Sequence, residues 1–221
     1  MVDHVNKGNC SYSRANSAIE SRMAVRIGVL ASGGGTNLQA IIDYLDSRKD
    51  STVARIAVVA ANRDTAGALE RARAASIPAE VFDAGDDGSS LLDTLRRHSV
   101  DLVVLAGYMR KIPSSVIGKY HRRMINIHPG ILPDFGGPGM YGARVHSAVL
   151  AAGARTTGVT VHFVDDEYDH GPTIVQWRIE VRDDDTPESL AARVLEVEHQ
   201  VYPRIVEMVA SLNDMNFFAD F

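Results

Sequence analysis

Five groups of residues in this chain combine side-chain types and spacings that suit a reaction site. The first is Asn126-Ile127-His128-Pro129-Gly130. Alternate residues of a strand project to one side, so the amide and the imidazole leave it together. Pro129 ends the strand at once, because it has no N–H for the ladder and fixes its own φ. Polar side chains at the carboxyl end of a strand stand where open α/β sheets place ligands. Taken alone, His128 reads equally as a hydrogen-bonded structural residue.

The second group, Ser32-Gly33-Gly34-Gly35-Thr36-Asn37, joins a strand to a helix. Glycines let backbone N–H groups approach an oxyanion, and a helix start adds the positive end of its dipole. It is neither familiar nucleotide loop. The third glycine of the dinucleotide fingerprint would fall on Leu38, and no P-loop lysine is present. The alternative is a tight turn whose glycines serve geometry alone. The third group, Leu105 to Pro113, leaves an apolar strand, with Gly107 for close backbone approach and Met109 and Ile112 able to line a slot for a flat ligand. An ordinary connection between strand and helix fits it as well.

Asp169 is the fourth, set before Gly171-Pro172 in a loop that also carries Asp165, Asp166 and Glu167. A carboxylate beside His128 would raise the imidazole pKa; a solvated acidic loop is the other reading. His162 either joins this site or fills the core. Glu198 is the fifth. It falls within an apolar helical stripe of Leu190, Val194, Val201 and Ile205. A carboxylate there needs a partner, as an ion pair or in a cleft. No spacing of histidines and acids argues for a metal.

The elements that must hold these groups alternate. Strands are expected at Val25–Leu30, Val53–Ala60, Glu80–Phe82, Asp101–Leu105 and from Met124. Between them run helices over Leu38 to Leu45, from a cap at Asp64 or Thr65 to Ala75, and over Ser90–Arg97. This is the pattern of an α/β fold with a mostly parallel sheet covered by helices on both faces. After a Gly/Pro-rich loop at 134–142 come a helix at Ala143–Ala151, strands at Thr156–Val164 and Thr173–Val181, and a long helix capped by Thr186 with Pro187 first. Residues 1–22 are polar and without periodicity and read as a disordered leader; 23–221 reads as one domain with a small C-terminal lobe.

The totals narrow the function. A net charge of −5 offers no general attraction to nucleic acid or anionic membranes. Cys10 is the single cysteine, which excludes a disulfide framework or a cysteine metal cluster. No apolar run approaches a membrane span. A cytoplasmic protein with small-molecule partners, monomeric or homodimeric, is expected.

Together the motifs resemble the folate-dependent formyltransferases, most of all the branch acting on phosphoribosylglycinamide (GAR). The resemblance runs from about Val25 to Pro203. It rests on Ser32 to Ala40, Leu105-Ala106-Gly107-Tyr108-Met109-Arg110, Asn126-Ile127-His128-Pro129, Val161-His162-Phe163 through Asp169-His170-Gly171-Pro172, and Glu198-His199 with Tyr202-Pro203. It implies a Rossmann-like formyltransferase fold and transfer of the formyl group of 10-formyltetrahydrofolate to the GAR amine in purine biosynthesis, without a metal. By the same resemblance Asn126, His128 and Asp169 are the catalytic residues. Gly35, Thr36 and Asn37 hold the acceptor's phosphate, and Glu198 its ribose. Met109, Arg110, Lys111 and Ile112, with Asn126, hold the folate. Two departures stand out. No Arg lies between Phe82 and Ser90, where some members have one contacting folate, and the loop 134–142 is longer than the common form. Methionyl-tRNA formyltransferases need basic surface that this acidic chain lacks. Formyltetrahydrofolate hydrolases carry an N-terminal regulatory domain, and the glycine turn disfavours amino-sugar formyltransferases. A non-catalytic binding module would leave the Asn126, His128 and Asp169 set unexplained.

Overall fold

β-Branched runs alternating with amphipathic stretches build a seven-stranded sheet in the computed structural model, which describes residues 24–214. The leader expected over 1–22 lies outside the described residues. The strands are β1 (Val25–Ala31), β2 (Ala54–Ala61), β3 (Ala79–Val81), β4 (Leu102–Leu105), β5 (Met124–His128), β6 (Thr156–Phe163) and β7 (Thr173–Glu180). Their order is β3-β2-β1-β4-β5-β6-β7. Contacts from β3 through β5 are parallel, while β6 and β7 join antiparallel, so the C-terminal lobe continues the same sheet. The mostly parallel α/β architecture expected from the alternation is present.

Helices cover both faces. On one side α1 (Thr36–Ser47), α2 (Gly67–Ala74), α5 (Ala143–Ala151) and α6 (Pro187–Asp214) contribute Leu38, Ile41, Leu69, Val149, Tyr202 and others to one core cluster. On the other, α3 (Ser89–Arg97) and α4 (Ser114–Lys119) bring Leu91, Leu95, Val116 and Ile117 against Val58, Val103 and Met124. The central strand β4 is buried throughout, as its unbroken apolar run requires.

Two expectations are corrected. Neither Asp64 nor Thr65 caps α2; the helix opens at Gly67 after Ala66, with no side-chain cap. The short helix α4 follows Pro113; its one and a half turns are too few to display an apolar period in the sequence. The buried stripe of α6 steps by four through Leu190, Val194, Glu198, Tyr202, Val206 and Ala210, while Val201 and Ile205 flank it. The cap of α6 forms as expected, with the Ser189 N–H donating to Thr186 Oγ1 at 3.2 Å and the Thr186 N–H to Ser189 Oγ at 2.9 Å.

Strand order reverses between β1 and β4, which makes the crevice beyond their carboxyl ends the topological switch point. The glycine turn leaves β1, the 106–113 loop leaves β4, and His128 closes β5.

Candidate active site

A cleft of about 530 Å³ opens at this edge. Its walls include Asn37, Tyr108, Ile112, Asn126, His128, Asp169 and Glu198, so a single space holds groups separated by up to 161 residues of sequence.

His128 is 3% exposed at the end of β5. Its Nε2 lies 2.7 Å from the Phe135 carbonyl, which can only accept, so the ring carries its proton there. Nδ1 faces Asp169 Oδ2 at 3.5 Å. Asp169 occupies a left-handed turn (φ 57°) and accepts the Gly137 N–H at 3.0 Å. Gly171 must follow closely, since a Cβ there would meet the Phe163 carbonyl oxygen at 1.9 Å. Burial pushes the Asp169 carboxyl up, but the neighbouring imidazoles of His162 and His128 and the Gly137 N–H together hold it below its ordinary value. The expected rise of the His128 pKa is reversed. Asp169 and the Phe135 carbonyl do push it up, but burial outweighs them and the imidazole titrates below its ordinary value.

His162 joins this site rather than the core alone. It pairs in register with Asn126 across β5 and β6. Its Nδ1–H donates to the Phe163 carbonyl at 2.8 Å, leaving Nε2 to accept from Asn126 Nδ2 at 3.2 Å. The second amide hydrogen of Asn126 remains available to the cleft.

Elsewhere in the cleft wall, Asn37 Nδ2 donates to Glu198 Oε2 at 2.7 Å, and both residues are buried. Burial drives the Glu198 carboxyl up to about 7 against the opposing bond from Asn37. Gly35 and Thr36 precede Asn37 and do not line the cleft. Gly35, in the left-handed region (φ 75°), is the N-cap of α1, which has no side-chain cap. The first intrahelical bond runs from the Gln39 N–H to the Gly35 carbonyl, so the preceding amides lie outside the helical ladder. Met109, Arg110, Lys111 and Ile112 all line the cleft; Ile112 is buried and the other three are exposed.

The formyl transferase family model matches residues 25–206. The chain belongs to the formyl transferase family. A chloroplastic phosphoribosylglycinamide formyltransferase of Vigna unguiculata is 42% identical over 214 residues, 90% of this chain and 68% of that protein. The phosphoribosylglycinamide formyltransferase of Bacillus subtilis (strain 168) is 34% identical over 195 residues, 86% of this chain and 96% of its own length. The crystal structure of the Anaplasma phagocytophilum phosphoribosylglycinamide formyltransferase superposes with a TM-score of 0.78 at 37% identity, covering 85% of this chain and 87% of that one. The chain spans 64% of the Arabidopsis thaliana relative and 18% of the Gallus gallus trifunctional purine biosynthetic protein adenosine-3. The family resemblance expected from the motifs therefore holds.

Within this formyl transferase, two residues escaped the sequence reading. His146 of α5 lines the cleft, 3% exposed, with its Nδ1 buried and unpartnered; burial and the charge of His128 push its pKa down. A single His on an apolar helix face gives little signal. Arg71 of α2 donates through Nε to the Gly34 carbonyl at 2.7 Å and through its guanidinium to Gln39 Oε1 at 3.2 Å, bracing the glycine turn from a helix whose ordinary polar face conceals it. Among the described residues no cluster of His, Cys, Asp and Glu is arranged to hold a metal, and no helix is long and apolar enough to cross a membrane.

Proposed function

We propose that the protein is a phosphoribosylglycinamide formyltransferase of purine biosynthesis, using 10-formyltetrahydrofolate as co-substrate and no metal. The observation that carries this is the convergence of Asn126, His128 and Asp169 on one cleft whose far wall is the buried Asn37–Glu198 pair. The family match and the phosphoribosylglycinamide formyltransferases among its relatives support the substrate choice.

The GAR amine attacks the formyl carbon and the carbonyl electron pair moves to oxygen. Asn126 offers its free amide hydrogen to that oxygen. His128 gives Nε2–H, the formyl oxygen replacing the Phe135 carbonyl as acceptor. As negative charge grows, protonation of the imidazole becomes favourable, and an Nδ1–H then points at ionised Asp169. The amine proton passes by way of Asp169 to the facing His128 Nδ1, the C–N10 bond breaks, and N10 of the tetrahydrofolate takes a proton from the imidazolium, which returns to its neutral form while Asp169 is left ionised. Met109 to Ile112 seat the pterin, the Gly35-Thr36-Asn37 turn holds the phosphate on free N–H groups, and Glu198 takes the ribose hydroxyls. Residues 23–221 act as one domain, as a monomer or homodimer. A cytoplasmic setting completes the reading; the Vigna relative is named chloroplastic, and fractionation of the native protein decides between the two compartments.

A transfer assay tests the proposal, with 10-formyl-5,8-dideazafolate as donor, GAR as acceptor and a no-acceptor control. Acceptor-dependent release of the deformylated folate is expected. Equal release without GAR would make the protein a hydrolase and overturn the reading.

A further inference from the structure

Ser32 stands at the switch point without lining the cleft, yet its hydroxyl joins the exits of three strands. The hydrogen bonding between β1 and β4 continues past their ends. The Ala106 N–H donates to the Leu30 carbonyl at 2.8 Å, and the Ser32 N–H to the Gly107 carbonyl at 3.1 Å. One step further the side chain takes over, and the Met109 N–H donates to Ser32 Oγ at 3.1 Å. An N–H can only donate, so the hydroxyl is the acceptor there and its own proton must go elsewhere. It goes to Asn62 Oδ1, 2.8 Å away, at the exit of β2. The Asn62 amide thereby sets the rotor of Ser32, and Ser32 sets the height of the Met109 backbone. Ser32 is 5% exposed, so water does not substitute readily for either partner.

Gly107 makes the loop's course depend on such a tie. Its φ of 75° turns the chain sharply out of β4, and a Cβ there would meet nothing within 4 Å, so no packing supports the turn from that side. The neighbouring Met109 is 48% exposed and gains little from burial. Buried Tyr108 and Ile112 seat the loop on either side, and the polar contact from Ser32 is what ties the exposed Met109 backbone between them.

We infer that Ser32, oriented by Asn62, is a positioning residue that holds the Met109–Ile112 backbone in register for the flat ring of the folate. The inference rests on the proposal that these residues seat the pterin.

The test measures binding of the non-transferable probe 5,8-dideazafolate, together with the kinetics of both substrates. Ser32→Ala is expected to raise the probe's Kd and the donor KM about tenfold, the factor that accompanies one neutral hydrogen bond. The acceptor KM and kcat stay within about threefold. Asn62→Ala, at a half-buried position where folding is tolerant, produces a smaller rise in the same two quantities, because the Ser32 hydroxyl is released to rotate. Should Ser32→Ala fold poorly, the Asn62→Ala result carries the test alone. An unchanged Kd in the folded variants, or acceptor KM and kcat worsening alongside, would overturn the positioning role. Failure of the unaltered protein to bind the probe would overturn the folate assignment itself, which separates the two claims.

Discussion

At residue scale the catalytic argument turns on His128. Burial lowers the pKa of its imidazole, and Asp169 lies 3.5 Å from Nδ1, where the proposed mechanism has it stabilise the charged form once an oxyanion develops. His128→Ala is expected to lower kcat by roughly 10²–10⁴, the range for an acid–base or oxyanion group. Its stability cost is only about 1–3 kcal/mol, from the Phe135 carbonyl losing its donor. Stopped-assay kinetics beside a melting curve separate the two effects, and near-normal kcat would remove His128 from the chemistry. Glu198 makes a different prediction. Its carboxyl is raised from the ordinary 4.5 to about 7, so the folded protein holds a proton that the unfolded chain has released. That contribution is complete below 4.5 and is lost as pH climbs to about 7. The difference is on the order of 3 kcal/mol. Glu198→Gln should therefore raise Tm by several degrees at pH 8 and hardly at all at pH 4. In the unaltered enzyme the acceptor KM should fall as pH rises from 6 to 8, because ribose hydroxyls donate best to the ionised carboxylate. A flat acceptor KM across that range would argue against contact between Glu198 and the ribose.

At element scale the glycine turn separates geometry from binding. Gly35 has a left-handed backbone, and a Cβ would sit 2.8 Å from Ala68 Cα, a backbone atom that cannot swing away. Gly33 has neither constraint, since a Cβ there meets nothing within 4 Å. Gly35→Ala should thus destabilise the protein by about 1–3 kcal/mol and misplace the start of α1. Gly33→Ala should leave Tm within about a degree but raise the acceptor KM, because the open space it enters is where a phosphate would lie. Equal stability loss in both variants would mean that the turn is held by packing throughout. The same contrast explains what the sequence could disclose. Strand and helix bounds were legible to within a residue or two wherever a period ran long enough, as in α1 and α5. The start of α2 was not, because Asp64 and Thr65 are good caps by type and tertiary packing chose Ala66 instead. The tautomers of His128 and His162 were also hidden, since each depends on a carbonyl that only the folded chain brings near.

At the scale of the molecule the site is a seam between two packed faces, and α6 is the element that closes it. Glu198 was legible as an acid in an apolar stripe, but its partner Asn37 stands 161 residues away, and no local pattern joins them. What places them together is α6 lying along α1 and anchored beneath the cleft by Tyr202. That side chain is fully buried, and its hydroxyl donates to the carbonyls of Leu105 at 2.8 Å and Ile125 at 3.3 Å, on the two strands whose exits form the cleft floor. Tyr202→Phe keeps the ring and its packing but removes the hydroxyl's bonds to two strand carbonyls that keep their ladder donors, a cost of about 1–2 kcal/mol. For a domain of this size Tm should fall by roughly 3–6 °C. If the hydroxyl also sets the height of α6, the acceptor KM should rise while the donor KM holds, since Glu198 lies one helical turn from the anchor and Met109 to Ile112 do not depend on it. A fall in Tm with both KM values unchanged would make the tie purely structural, and an unchanged Tm would show that packing of the stripe alone seats the helix.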